Sequence, residues 1–251
     1  MMSKKVDDQK RVNDILLGPL ERPALKWLAE HMPQWVTPDI LTTVGVVASI
    51  LTFAGYALVP VSKSFLWLAS FGFVMNWFGD SLDGTLARHR HIERPRFGFY
   101  IDHAMDALSA VMIFIGLGLS GYVDLAVACL AAIGYLMVAI LVFLKTYVTG
   151  VFEMTSAKIG PTEIRVLGIL INTVVFFFGN PEVNLPLLGV VSIFSMAVGG
   201  LAILLMSYFV ITAITESRKL ALLDGKRLER RLERRREVEM RQIAKEKKQS
   251  R

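Results

Sequence analysis

The sequence predicts an all-α integral membrane protein, with six transmembrane helices, an N-terminal amphipathic juxtamembrane helix before them and a charged C-terminal helix after them. Three observations carry that expectation. Of 251 residues, 53% are hydrophobic and 20% charged, too apolar for a water-soluble domain of this size. The apolar residues fall into six runs, at 40–61, 65–82, 104–121, 125–148, 166–179 and 185–214, each near the ~20 residues that span hydrocarbon. The basic residues also sort by loop. Six Lys and Arg precede the first run, 4 lie between the second and third, 3 surround the fourth-to-fifth connection and 14 follow the sixth, while the other loops hold only Lys63. The positive-inside rule then places both termini and both basic loops in the cytoplasm, as an even number of spans requires.

Residues 1–35 are the expected cytoplasmic N-terminal segment, which lacks the continuous apolar core of a cleavable signal. Within it Leu25, Leu28, Met32 and Trp35 recur at three- and four-residue spacing. That stripe predicts a short helix lying on the membrane surface or packed on protein. Pro33 and Pro38 separate it from the first span. Residues 36–215 form the six-helix domain, in which Cys129 reads as a small packed side chain. Residues 216–251 form a basic cytoplasmic tail of 14 basic and 7 acidic side chains. Leu228, Leu232 and Val238 are too sparse there for a heptad seam. The tail is expected to be a solvated helix, frayed at its end, whose charge orients the chain and can lie against anionic membrane lipids. No nucleic-acid partner is expected.

The chemistry concentrates where the second and third runs meet. D-S-L-D-G-T-L-A-R at 80–88 is followed by G-F-Y-I-D-H-A-M-D at 98–106. Asp80 and Asp83 close one helix and Asp102 and Asp106 open the next, each pair on a single helical face. Two antiparallel helices would bring the four carboxylates together at the cytoplasmic boundary. Gathered anions at a membrane edge require cations, and hard oxygen ligands point to magnesium, manganese or calcium. The helix dipole favours Asp102 and Asp106 in a first turn but opposes Asp80 and Asp83 near a C-terminal end. The second pair therefore needs compensation, for which Arg88 and the loop residues Arg90, Arg94 and Arg96 are at hand. Gly84, Ala87 and Gly98 put small side chains beside the acidic faces, leaving volume for a diphosphate and its base. The plain alternative is an interfacial charge network that only anchors helices.

The stretch Asp80 to Asp106 resembles the signature of the CDP-alcohol phosphotransferase family, D-x2-D-G-x2-A-R-x(8 or 9)-G-x3-D-x3-D, at every fixed position. The resemblance implies a six-helix membrane enzyme, usually homodimeric, that displaces CMP from a CDP-linked donor with an alcohol acceptor. Carried over, it implies that Asp80, Asp83, Asp102 and Asp106 hold Mg2+ or Mn2+, expected as two ions, and that Asp106 is the general base. It further implies nucleotide contacts from Asp80, Asp83, Gly84, Ala87, Arg88 and Gly98. His103 is a candidate for supporting proton transfer, with packing as the other reading. T-P-D-I-L-T at 37–42 resembles the family's P-N-x-x-T stretch, with Asp39 in place of Asn. Asp39 and Thr42 become nucleotide candidates, and N-capping by Thr37 or Asp39 explains the segment equally well.

Three further stretches, D-H-x-x-D-A-L-S, L-K-T-Y-V-T-G-V-F-E and I-G-P-T-E-I-R, resemble the choline and ethanolamine phosphotransferases of eukaryotes. That likeness implies CDP-choline or CDP-ethanolamine as donor and diacylglycerol as acceptor, with Tyr147 and Glu163 facing a cationic head group. Capping of a helix by Glu163 and interface marking by Tyr147 are the plain readings. A second substrate reading uses Lys145, Lys158 and Arg165 as an anion pocket. The donor is then CDP-diacylglycerol and the acceptor a polar alcohol such as inositol phosphate, glycerol phosphate or serine. Two other classes compete: a metal or ion transporter, whose acids belong near mid-bilayer on several helices, and an anchor presenting the basic tail.

Overall fold

A computed structural model describes residues 16–149, 160–186 and 189–249. Seven helices and one hairpin follow in the order α1 (Gly18–His31), α2 (Pro38–Ala57), α3 (Phe65–His89), α4 (Pro95–Leu119), α5 (Leu125–Thr149), α6 (Pro161–Phe178), β1 (Glu182–Leu185), β2 (Gly189–Ser192) and α7 (Ile193–Gln249). Two compact units result, Met1–Met206 and Ser207–Arg251. Among the described residues five helices, α2, α4, α5, α6 and α7, are long and apolar enough to cross a membrane. This is a multi-pass, all-α membrane architecture. The other long helix, α3, has 25 residues, but Asn76, Asp80 and Asp83 dilute its apolar character.

Local signals explain where the helices begin. The Thr37 hydroxyl accepts a hydrogen bond from the Ile40 N–H at 3.3 Å, and Pro38 follows as the first residue of α2, where its missing N–H costs nothing. At α6, Pro161 again opens the helix, and Glu163 Oε2 accepts the Gly160 N–H at 2.9 Å. The helix therefore starts five residues before the apolar run does. The hairpin is a correction of the expected sixth span, which does not begin at 185. Pro181, Asn184, Pro186 and Gly189 (φ +72°) interrupt the helix, and Glu182 pairs antiparallel with Ser192 and Leu185 with Gly189. Only from Ile193 does the sixth apolar helix run.

The boundaries around the acidic motif also differ from expectation. α3 continues to His89 and α4 begins at Pro95. Gly84, Ala87 and Arg88 are thus helical, and the connecting loop shrinks to a tight turn in which His91 adopts φ +56°. Asp102 lies beyond the first turn of α4, where dipole stabilisation has largely faded.

Glycines bring α2 and α3 into backbone contact. A Cβ on Gly79 would sit 2.5 Å from the Gly45 nitrogen and 2.6 Å from the Leu41 carbonyl oxygen, and one on Gly72 would sit 2.3 Å from Thr52 Oγ1. Small residues at such crossings let membrane helices approach closely. Against this pair α1 buries Leu25 and Ala29 beside Leu41, Leu82 and Leu86, so the juxtamembrane stripe packs on protein. Its other side leaves Leu20 and Trp27 exposed, and Trp35, beyond the helix end, is 74% exposed. Glu21 ties α1 down, its Oε1 accepting from Trp77 Nε1 at 2.9 Å and from Thr162 Oγ1 at 2.8 Å. In the second unit α7 remains helical to Gln249 rather than fraying, with i,i+3 ion pairs Lys219–Glu216 and Arg227–Asp224.

Candidate active site

The α2–α3 crossing decides what Asp83 meets. With the backbones in contact at Gly45 and Gly79, the Thr42 hydroxyl reaches across to donate to Asp83 Oδ2 at 2.6 Å. Asp83 Oδ1 accepts the Gly84 N–H at 2.5 Å, and the residue is 7% exposed. One turn earlier on α3, Asp80 Oδ2 accepts from Arg165 Nη2 of α6 at 2.5 Å. The charge of Asp83 is felt with those of Asp102 and Asp80, and that of Asp106 with those of Asp80, Arg165, Asp102 and Asp83. Asp83 and Asp106 are therefore each within electrostatic reach of the other carboxylates of α3 and α4. Arg165 is the only cation among the buried residues described.

Beneath them runs a polar layer. Asn76 Oδ1 accepts from Arg165 Nε at 2.8 Å, and Asn76 Nδ2 donates to the Gly45 carbonyl at 2.9 Å and to Ser49 Oγ at 3.1 Å. Ser49 Oγ lies 2.7 Å from Ser109 Oγ on α4. Arg165 Nη1 is buried without a hydrogen-bond partner among the described residues. Tyr135 of α5 is within electrostatic reach of Asp106, Arg165 and Asp80.

The basic loop plays a different part from the one its charge predicts. Arg165 of α6, and not the loop, is the guanidinium on Asp80. Arg90 is spent on the carbonyls of Met32, Pro33, Gln34 and Val36, clasping the α1–α2 connection. Arg94 pairs with Asp39, which is exposed at the start of α2. Thr42 stands in the carboxylate cluster, whereas Thr37 does the N-capping. Arg88 donates to Thr85 on its own helix at 3.1 Å, and its guanidinium lies 3.3 Å from the Cβ position of Gly84. Around the Cβ position of Gly98 nothing lies within 4 Å, so its smallness serves open space and not packing. His103 Nδ1 donates to the Phe99 carbonyl, 2.6 Å away, and the ring lies tilted against Phe99 and edge-on to Phe143, a packed setting.

The acceptor candidates scatter. Both Glu163 oxygens are engaged by backbone N–H groups, Leu17 at 2.8 Å and Gly160 at 2.9 Å, the second being the capping use. Tyr147 is 73% exposed near the end of α5, and Lys145 is half-buried on the same helix. Lys158 lies outside the described residues. Asn76, Ser49, Ser109 and Tyr135 were not singled out by spacing. The signal for Asn76 was present nonetheless: a polar residue inside an apolar run, four before Asp80 and on its face.

Among the described residues, no group of three or more His, Cys, Asp or Glu side chains is arranged to hold a metal ion. Asp83 is turned to Thr42 and Asp80 to Arg165. The donor set is still that of a hard divalent cation, since four carboxylates share one charged neighbourhood with a single buried counter-ion. The fit is one of donor chemistry. An apolar groove of about 290 Å³ along α2, lined by Ile40, Val44, Val47, Leu51 and Met75 among others, contains none of these residues.

Fold and site together define a helical membrane protein in which carboxylates share a neighbourhood with a buried guanidinium. The sequence profile of the CDP-alcohol phosphatidyltransferase family matches residues 35–211, and the chain belongs to that family. It is similar to Cholinephosphotransferase 1 of Danio rerio, 27% identical over 176 residues, which is 65% of this chain and 45% of that protein. Archaetidylinositol phosphate synthase of Methanothermobacter thermautotrophicus is 35% identical over 131 residues, 51% of this chain and 63% of that protein. Phosphatidylinositol phosphate synthase of Cutibacterium acnes is 33% identical over 86 residues, 34% and 38% of the two chains. The chain spans about half the length of the cholinephosphotransferases it matches.

Proposed function

We propose that the protein is a phospholipid-synthesising transferase, moving a substituted phosphate from a CDP-linked donor to an alcohol acceptor with release of CMP. The observation that carries this is the convergence of Asp80, Asp83, Asp102 and Asp106, each at its motif position, in a chain of this family. α3 is read as the sixth span, its acidic end and both termini on the cytoplasmic side, and the working form as a homodimer.

In this reading Asp80, Asp83, Asp102 and Asp106 would hold one or two Mg2+ or Mn2+ ions. The chemistry those ions supply is neutralisation of the donor's diphosphate and of charge on departing CMP. Asp106 takes the proton of the attacking hydroxyl as the new oxygen–phosphorus bond forms and the bond to CMP breaks. Gly84, Ala87 and the open space at Gly98 accommodate the nucleotide, with Arg88 toward phosphate and Asp39 and Thr42 at its rim. Arg165 holds Asp80, and its spare Nη1 edge suits an anionic oxygen.

For the substrates, likeness to the cholinephosphotransferases over 65% of the chain supports a CDP-choline or CDP-ethanolamine donor with diacylglycerol as acceptor. The second reading, CDP-diacylglycerol with a phosphate-bearing polar alcohol, draws support from Arg165 Nη1 and from the 35% identical archaeal relative. The test is direct. Purified protein is offered each donor and acceptor pair, with and without magnesium, and CMP and new lipid are measured. Metal-dependent CMP release with one pair is expected. No release from any pair rejects the transferase, and metal flux into nucleotide-free proteoliposomes would replace it with a transporter.

A further inference from the structure

The layer under the carboxylates is joined at a single residue. Asn76, 8% exposed, stands one helical turn before Asp80 and uses both faces of its amide. Nδ2 donates to two groups of α2, Gly45 O and Ser49 Oγ, and Oδ1 accepts from Arg165 Nε of α6. Through Ser49 the layer continues to Ser109, three residues beyond Asp106 and on its face of α4. One side chain thus touches, directly or through one hydroxyl, the helices that carry all four acids and their counter-ion.

The geometry of arginine gives this contact a consequence. A guanidinium is planar and its donors are fixed relative to one another, so a partner seated on Nε sets the direction of Nη2. In this protein Nη2 donates to Asp80 Oδ2. Without the Asn76 acceptor, the guanidinium could turn about its stem and carry the Asp80 carboxylate with it. A ligand group held loosely by its supporting shell loses affinity for what it binds.

We propose that Asn76 is a positioning residue for the carboxylate site. It anchors Arg165 through Nε so that Nη2 keeps Asp80 in one orientation beside Asp83, Asp102 and Asp106. The proposal rests on the reading above, in which Asp80 serves a divalent cation.

The test compares Asn76→Leu and Asn76→Ser with Asn172→Leu, in the full chain purified in detergent. Asn172 is an equally buried amide, 3% exposed, bonded to Tyr56 and Ser70 and remote from the acids. Three quantities are measured: Mn2+ affinity by titration, the magnesium dependence of CMP release, and the unfolding temperature. Both Asn76 variants should weaken Mn2+ binding by about 10- to 100-fold, the loss typical of a removed supporting partner. Half-saturating magnesium should rise in parallel, with a smaller change in turnover at saturating metal. Asn172→Leu should lower the unfolding temperature and leave Mn2+ affinity alone. Should the leucine variant fail to fold, the serine variant, which keeps a short polar group in the layer but cannot reach Arg165, decides the matter. Wild-type Mn2+ affinity in Asn76→Ser overturns the positioning role. If the wild type binds Mn2+ but releases CMP from no donor, the transfer reading fails and the Mn2+ comparison still judges Asn76. A wild type that binds no Mn2+ overturns both.

Discussion

Two buried polar clusters lie along the same three helices, α2, α3 and α6, and they end in opposite ways. Toward one end Tyr56 O–H donates to Asn172 Oδ1 at 3.0 Å and Asn172 Nδ2 donates to Ser70 Oγ at 3.1 Å. That chain is neutral and closes on itself among Phe73, Val175 and Leu66. Toward the other end Asn76 and Arg165 lead to Asp80 and to three more carboxylates. Matched donors and acceptors are sufficient to hold helices together, and each such bond adds only about 1 kcal/mol. Carboxylates in excess of their buried counter-ion are costly to gather. The acidic cluster is the one to which a metal-bridged ligand is assigned in the proposed function, whereas the neutral one joins helices only.

The contrast can be broken from either end. The largest effect is expected at the acidic end, where Asp106→Asn should reduce CMP release by at least ~100-fold, the low end for a lost general base. Its unfolding temperature should match wild type. Normal CMP release from that variant would remove Asp106 from the reaction. Arg165→Ala leaves Asp80 without its partner and Asn76 Oδ1 without a donor. Because Asp80 is about a third exposed, the loss belongs at the low end for a broken ion pair, about 3 kcal/mol of stability, read by denaturant or thermal unfolding. Gly79→Ala forces a methyl group against the backbone of α2. A cost of ~1–3 kcal/mol is expected, with weaker CMP release because Thr42 is pushed away from Asp83. At the neutral end Tyr56→Phe strands Asn172 Oδ1 and should cost about 1 kcal/mol, seen as a lower unfolding temperature with CMP release intact. Smallest of all, deletion after Gly225 should leave turnover within about twofold if the basic tail serves orientation and lipid contact. Loss of turnover in that variant would give the tail a part in the reaction.

Legibility in the sequence followed the range of the interactions. Apolar runs and Pro or Thr signals act over a few residues, so the long helices could be read, as could the capping at Thr37 that starts α2. The acidic pairs were legible because i,i+3 and i,i+4 spacing is itself a statement about one face. Boundaries next to polar residues were not legible. Hydropathy ends a span at the first charges, whereas hydrogen bonding carries α3 on to His89, and the pair of prolines and Gly189 turn 182–192 into a hairpin within an otherwise apolar stretch. The pairing of Arg165 with Asp80 was not legible for a related reason. Arg90 and Arg94, close to the motif in sequence, looked like sources of compensation, yet Arg90 was drawn to the carbonyl groups of the α1–α2 connection and Arg94 to Asp39.

By itself the chain determined the solvent it folds in, the all-α class, and the acidic faces on α3 and α4, because these follow from composition and from spacing along one helix. The partners of those faces were decided only by tertiary structure. Asp83 meets Thr42 from 41 residues away and Asp80 meets Arg165 from 85, distances over which sequence spacing carries no geometric information. Close packing at Gly45 and Gly79 chose the first pairing, and the seating of α6 on α3 chose the second.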